Sequence, residues 1–297
     1  MELVYQKFKL HIEFEREFKF NSYPIFMFRS ILGKELRKLS CLFENRECKE
    51  CELNESCNYS LLFETPVDKK NSFLSGRDSI SHPIIVYTDV KNRESRRSLV
   101  LEITMIGEGS IKLFPYIKLS FLKAGEIGIG KERVKYNITD VVSDEILKFS
   151  FFPDSEDLLE RKKVFINIKT PIRLKIKGKL LSDITYLQLM QAIFRRLKLL
   201  IAFYGDYNES EVENFLTQRD SFIEENILDK NIDKSLHWLE LYRYSAHQKR
   251  KMKLGGVVGS IILDGEFNSF ELSLLEFASI FNLGKNISFG LGNISFI

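Results

Sequence analysis

The chain has 297 residues, 44 Lys plus Arg against 41 Asp plus Glu, and a formal net charge of +3. That length holds two ordinary domains, each able to bury its own core, and a charge so close to balance does not by itself point to a nucleic acid. No apolar run reaches the ~18 residues that span a bilayer, and Met1-Glu2-Leu3-Val4 is no cationic lead-in to an apolar stretch, so no membrane partner is expected and the expected location is the cytoplasm.

Residues 3–20 alternate, with Val4, Gln6, Phe8, Leu10, Ile12 and Phe14 against Tyr5, Lys7, Lys9, His11 and Glu13. Period two predicts a strand. Asn21-Ser22-Tyr23-Pro24 is a capping cluster with proline at a helix start. Ile25, Phe26, Phe28, Ile31, Leu32, Leu36 and Leu39 then supply a helical apolar face. A cysteine-rich segment interrupts from Cys41 to Cys57, and a loop follows through Pro66 and Gly76. Ile84–Val90 and Ser98–Met105 read as strands, and 112–124 reads as a helix running into Gly125-Glu126-Ile127-Gly128-Ile129-Gly130.

Alternation resumes at Val164. Leu187, Met190, Phe194, Leu197 and Ile201 recur at helical spacing. Asp206–Lys234 is acidic and reads as irregular, with a short helix and a loop. Leu239–Ser245 and Lys253–Leu263 read as a hairpin around the basic tip His247-Gln248-Lys249-Arg250-Lys251. An apolar helix from Phe270 to Phe281 runs into a second glycine loop, with Gly284, Gly290 and Gly292, and then a last strand.

Each half therefore reads strand–helix–strand–strand–helix–strand. The predicted class is α+β, as two tandem ferredoxin-like (RRM-like) domains with a Cys-rich insertion in the first. The boundaries are 1–140 for the first domain, with the insertion at 41–66, then 141–160 as connector and 161–297 as the second domain. The open sheet face of this unit is a common RNA platform, though the fold alone does not establish a function.

Charge is spread unevenly. Arg161–Ser182 contains eight Lys or Arg and no acid, and Arg243–Leu263 contains five and no acid. Such stretches are electrostatic footprints for a polyanion. Arg243, Lys249, Arg250, Lys251 and Lys253 are the RNA-binding candidates on the hairpin. Gly284, Gly290 and Gly292 are expected to bring backbone N–H groups to phosphate, with Lys285 adding charge. Lys131 and Arg133 are given the same part beside the first glycine loop.

All four cysteines fall within seventeen residues, as Cys41-x6-Cys48-x2-Cys51-x5-Cys57. A reducing compartment disfavours disulfides. Four thiolates at close spacing fit a structural tetrahedral metal, most simply zinc, with an iron–sulfur cluster as the alternative. Glu44, Glu47, Glu50, Glu52 and Glu55 are interleaved and would repel phosphate.

The block Arg243-Tyr244-Ser245-Ala246-His247-Gln248-Lys249-Arg250-Lys251-Met252-Lys253-Leu254-Gly255-Gly256-Val257-Val258-Gly259 resembles one in CRISPR repeat-processing endoribonucleases of the RAMP superfamily. The terminal Gly284-Lys285-x-x-x-Phe289-Gly290-Leu291-Gly292-Asn293 does so too. Arg29-Ser30-x-x-Gly33, the four cysteines followed by Tyr59, Leu62, Phe63 and Pro66, then Pro83, Gly128-x-Gly130, Thr170-Pro171 and Arg195-Arg196-Leu197 agree in order. The resemblance implies binding of CRISPR repeat RNA and a single metal-independent cut, in which a ribose 2′-OH attacks the adjacent phosphate. It implies no cofactor for the reaction, with CRISPR effector-complex proteins as further partners and a monomer or homodimer as the assembly.

That reaction needs a base, an acid and a cation for the phosphate. Many members of the family carry a histidine on or just after the first helix, and this chain has none there. Of its four histidines, His11 is read as solvated on a strand, His82 as a local turn contact and His237 as packed at a helix end. His247, at the tip of the basic hairpin, is the leading catalytic candidate. Tyr23, Arg29 and Lys34 are the others. The absence of a first-helix histidine keeps a second reading open, that of a non-catalytic RNA-binding subunit of a CRISPR effector complex.

Overall fold

The alternation of Phe8, Leu10, Ile12 and Phe14 with Lys9, His11 and Glu13 produces one long strand, β1 (Glu2–Lys19), in the computed structural model of the protein. The structure describes residues 1–43, 46–65, 81–150, 161–225, 230–245 and 250–297. Two units emerge: Val4–Leu147, and Met1–Leu3 with Lys148–Ile297.

In the first unit β1 is followed by α1 (Pro24–Ser40), α2 (Asn58–Phe63), β2 (Ile84–Tyr87) and β3 (Ser95–Ile106). Then come α3 (Glu108–Ile111), α4 (Phe114–Ile127) and β4 (Tyr136–Ser143), and β5 (Leu147–Ser150) passes into the second unit. The main sheet has the antiparallel order β2-β3-β1-β4. Phe8, Leu10, Ile12 and Phe14 face Ile25, Phe28, Leu32 and Leu36 of α1 and Ile117 and Phe121 of α4 in one buried core. The predicted capping cluster makes no side-chain cap at α1. Pro24 at the first turn supplies the start instead, because its fixed φ suits a helix and its missing N–H is one that no helix bond would use. α4 ends at Gly128, whose φ of 84° no helix continues. β4 runs on into the expected connector as far as Ser143, and Leu147–Ser150 is a strand as well. Residues 151–160 of the connector lie outside the described residues, as do Pro66 and Gly76.

The second unit contains β6 (Arg161–Ile172), the short hairpin β7 (Lys175–Ile176) and β8 (Lys179–Leu180), α5 (Tyr186–Tyr204) and β9 (Gly205–Asp206). These are followed by α6 (Glu209–Glu225), β10 (Asn231–Leu239), β11 (Tyr242–Ser245), β12 (Arg250–Lys253), β13 (Gly256–Phe267), α7 (Ser269–Phe281) and β14 (Ile294–Phe296). Its sheet order, β10-β13-β6-β14, repeats the order of the first sheet, and every pairing is antiparallel. α5 and α7 begin with reciprocal capping boxes, Thr185 with Gln188 and Asn268 with Glu271.

The irregular reading of Asp206–Lys234 is corrected: the segment forms α6 and the start of β10. α6 buries Val212, Phe215 and Phe222, with the rings of Phe215 and Phe222 5.9 and 5.7 Å from that of Phe194. Three apolar anchors among many charges suffice because α5 provides the other half of the contact. The hairpin is also longer than expected. β10 pairs with β13 from Asn231↔Asp264 to Leu239↔Gly256, and β11 pairs with β12 beyond it. His237 therefore sits exposed on a strand opposite Val258, and not at a helix end.

Candidate functional site

α7 stops at Phe281, and the chain needs several left-handed residues to turn back into β14. Asn282, Gly284, Asn286, Gly290 and Gly292 all have positive φ. A Cβ on Gly292 would lie 1.8 Å from the Leu283 carbonyl oxygen, and one on Gly284 would lie 2.8 Å from that of Arg173. Glycine is required there by backbone crossing backbone. The loop is then locked from below. Thr170 Oγ1 donates to the Gly290 carbonyl at 2.7 Å and accepts from the Asn293 N–H at 2.9 Å. The Asn282 side-chain amide donates to the Leu291 carbonyl at 3.2 Å, and that of Asn293 donates to the Asn282 side chain at 3.2 Å.

The expectation that Gly290 and Gly292 offer their N–H groups to phosphate is corrected by this packing. The Gly290 N–H donates to Ile287 at 2.7 Å and the Gly292 N–H to Pro171 at 3.0 Å. Both residues are buried. The Lys285 N–H is likewise held by Arg173 at 3.0 Å, while the Lys285 side chain is exposed. Thr170→Val leaves the Gly290 carbonyl and the Asn293 N–H without their shared partner in a buried site. It is expected to cost about 1–3 kcal/mol, read as a lower midpoint in urea unfolding.

Two cations flank the locked loop. Arg243 on β11 lays its guanidinium 4.2 Å from the centroid of the Phe289 ring. Its Nε is buried with no hydrogen-bond partner. Burial lowers its pKa, and no carboxylate opposes that shift. Arg173, which follows β6, bonds the Gly255 carbonyl through Nη1, yet its Nε is also buried and unpartnered. Burial lowers its pKa too, and Glu240 offsets part of that. A guanidinium has five N–H donors and no acceptor. A buried guanidinium N–H left without a partner is costly until an acceptor reaches it. Two such guanidinium groups beside the exposed Lys285 side chain are suited to an anionic ligand such as phosphate. Arg173 escaped the sequence reading because it belongs to a run of solvated-looking basic residues.

The hairpin separates the remaining cations. Arg243 is paired with Met252 on one face, toward Phe289, while Lys251 lies 4.2 Å over the Tyr242 ring on the other. Lys253, opposite Tyr242, is exposed on that second face. Arg250 is placed by its pairing with Ser245. His247 and Lys249 lie outside the described residues.

In the first unit Lys131 and Arg133 are exposed at the tip of a tight turn closed by reciprocal bonds between Ile129 and Val134 at 2.8 and 3.0 Å. Glu132 between them pairs with Arg16 at 2.9 Å. Two catalytic candidates are corrected. Tyr23 packs against the core, and burial raises its phenol pKa above the ordinary value, with Tyr87 adding to the shift. It is therefore a poor base at neutral pH. Arg29 is 6% exposed, with its guanidinium 3.6 Å from the centroid of the Phe63 ring. It holds α2 against α1 instead of reaching a substrate. Lys34 is exposed on α1. His11 is half-buried on β1, between Val100 and Asp140 of the neighbouring strands, and is not simply solvated. His82 lies 6.4 Å from the Phe63 ring.

Cys41, Cys48, Cys51 and Cys57 are free thiols that line a common cavity. Among the described residues no three His, Cys, Asp or Glu side chains stand close enough to form a ready metal group. Among the described residues, also, no helix is long and apolar enough to cross a membrane.

Residues 166–294 match the family model for the CRISPR-associated endoribonuclease Cas6, and residues 3–162 match a model described as AF_1859_N, N-terminal domain. No curated protein matches the chain significantly. Among solved structures, the Cas6 (TTHB231) product complex, a protein of Thermus thermophilus, is similar at a TM-score of 0.60 and 16% identity, over 99% of both chains. The Cas6 (TTHA0078) product complex is similar at 0.54 and 13%, again over 99% of both. A chain of a partial Cas6-RT-Cas1–Cas2 complex is similar at 0.56 and 11%, over 99% of this chain and 46% of that one. At these identities the likeness is one of fold, and it agrees with two tandem ferredoxin-like halves.

Proposed function

Because residues 166–294 match the family model for the CRISPR-associated endoribonuclease Cas6, we propose that the chain is a member of that family, binds CRISPR repeat RNA in the cytoplasm and cuts precursor RNA once by attack of a ribose 2′-OH on the adjacent phosphate. The bond from the 2′-oxygen to phosphorus forms and the bond to the 5′-oxygen breaks, leaving a 2′,3′-cyclic phosphate and a free 5′-OH. The proton lost by the 2′-OH goes to a base, and the leaving oxygen takes one from an acid. The reaction as written needs no metal.

The observation that carries the reading is the pair of buried, unpartnered Nε atoms of Arg173 and Arg243 beside the glycine loop. They support phosphate contact and charge stabilisation. Lys131, Arg133, Lys251, Lys253 and Lys285 fit the sequence-independent part of RNA binding. His247 is proposed as the proton-transfer group, with Lys34 as the exposed cation of α1. The products of Cas6 family members are expected to pass to other CRISPR proteins, so such proteins are proposed as further partners.

The second reading, an RNA-binding subunit that does not cut, is favoured by one observation: Tyr23 and Arg29 are packed away and α1 offers only Lys34 of its candidates to solvent. End-labelled repeat RNA incubated with the protein in EDTA separates the two. Cutting at one position with a cyclic-phosphate end, lost by about 100-fold or more in His247→Ala, supports the assignment. Unchanged cutting in that variant removes His247 from the proposed role, and binding without any cut establishes the second reading.

A further inference from the structure

The segment between α1 and α2 has too little core to hold itself. Leu42, Phe43 and Leu53 are 77%, 41% and 39% exposed. What order it has comes from turns, such as the Cys51 N–H to the Cys48 carbonyl at 3.3 Å and the Cys57 N–H to Leu53 at 2.8 Å. A segment this short and this poorly buried needs a staple.

Its cysteines stand at the four points where a staple would act. Cys41 is the residue after α1, and its N–H caps the helix through Arg37 at 2.8 Å. Cys57 is the residue ahead of α2. Cys48 and Cys51 bracket the single turn between them. All four line one cavity. Cys48 lies within electrostatic reach of Cys41, Cys57 and the Arg37 guanidinium, which also reaches Cys41. A cation in that place offsets part of the negative charge that four thiolates would bring.

We propose that Cys41, Cys48, Cys51 and Cys57 bind one zinc ion as a tetrahedral tetrathiolate, and that binding draws the segment closed and ties the end of α1 to the start of α2. As placed, the thiols are too spread to hold an ion, so binding and local folding are one event. With four thiolates the coordination shell is full and the ion is structural. It fastens α2, whose Phe63 covers Arg29 of α1.

The test uses the full chain purified without added metal. Elemental analysis is expected to find about one zinc per chain, with the thiols protected from a thiol reagent until a strong chelator removes the ion. Limited proteolysis is expected to cut within 42–57 only after chelation, and re-added zinc is expected to restore protection. Cys48→Ser is expected to lose the zinc. The reversible chelation experiment decides the matter if that variant fails to fold. A metal-free chain whose four thiols react at once, with zinc changing nothing in the proteolysis, overturns the proposal. So does stoichiometric iron with a visible absorption band, or a pair of disulfides in the protein freshly purified under reducing conditions.

Discussion

Arg243→Met weakens binding of repeat RNA by about 10- to 100-fold, the worth of one charge-assisted contact of ~1.5–3 kcal/mol, while the thermal stability of the free protein stays level or rises. The two effects have opposite signs for one reason. In the free protein the Arg243 Nε is buried without a partner, above the Phe289 ring, so its removal relieves a desolvation cost. In the RNA complex that same cost has been offset by phosphate, so its removal loses a contact. Methionine keeps the bulk over Phe289. Direct binding titrations and thermal melts of the same preparations check both halves. A variant that binds normally but melts lower would make Arg243 an ordinary packing residue. Arg173→Met behaves differently, because Nη1 of Arg173 also holds the Gly255 carbonyl, and its substitution lowers stability as well as affinity.

Gly292→Ala is expected to cost about 3–5 kcal/mol, the range kept for strained or overpacked core sites. The new Cβ would stand 1.8 Å from the Leu283 carbonyl oxygen, at a φ of +74°. Relief requires breaking the Leu283 N–H bond to Gly292, which is 2.9 Å long. The loop that displays Lys285 and Phe289 then loses its shape, so RNA binding falls along with the urea midpoint. Gly178→Ala is the control. Gly178 has a φ of +84° in the β7–β8 turn but open space around its Cβ position, so only the conformational cost of roughly 1–2 kcal/mol applies. Equal losses in the two variants would mean that the crossing of 283 and 292 contributes nothing.

Much of the fold could be read from periodicity. β1 and α1 announce themselves because each has one buried face and one wet one. α6 did not, because its burial rests on Val212, Phe215 and Phe222 among acids, and the surface they meet belongs to α5, 20 or so residues away in sequence. The terminal glycines were legible as a device but not in their purpose. A glycine that admits a ligand and one that admits a neighbouring carbonyl look alike in a sequence, and here Gly292 admits Leu283. The anion seat was half visible. Arg243 stood in a conspicuous basic block, whereas Arg173 is set apart from Lys175 and Lys177 by a buried Nε and a bond to the Gly255 carbonyl, both tertiary features. Tyr23 and Arg29 drew attention by residue type, and their burial against Phe26 and Phe63 is tertiary information.

The salt dependence of repeat-RNA binding tests the anion seat most directly. Each single-strand phosphate neutralised contributes about 0.7 to the slope of log affinity against log salt. The Arg243→Met slope is expected to be shallower than that of the parent chain by about that amount, because one phosphate has lost its cation. Identical slopes in the two proteins would mean that no phosphate sits on Arg243, and the site described beside the glycine loop would not be where the RNA backbone binds.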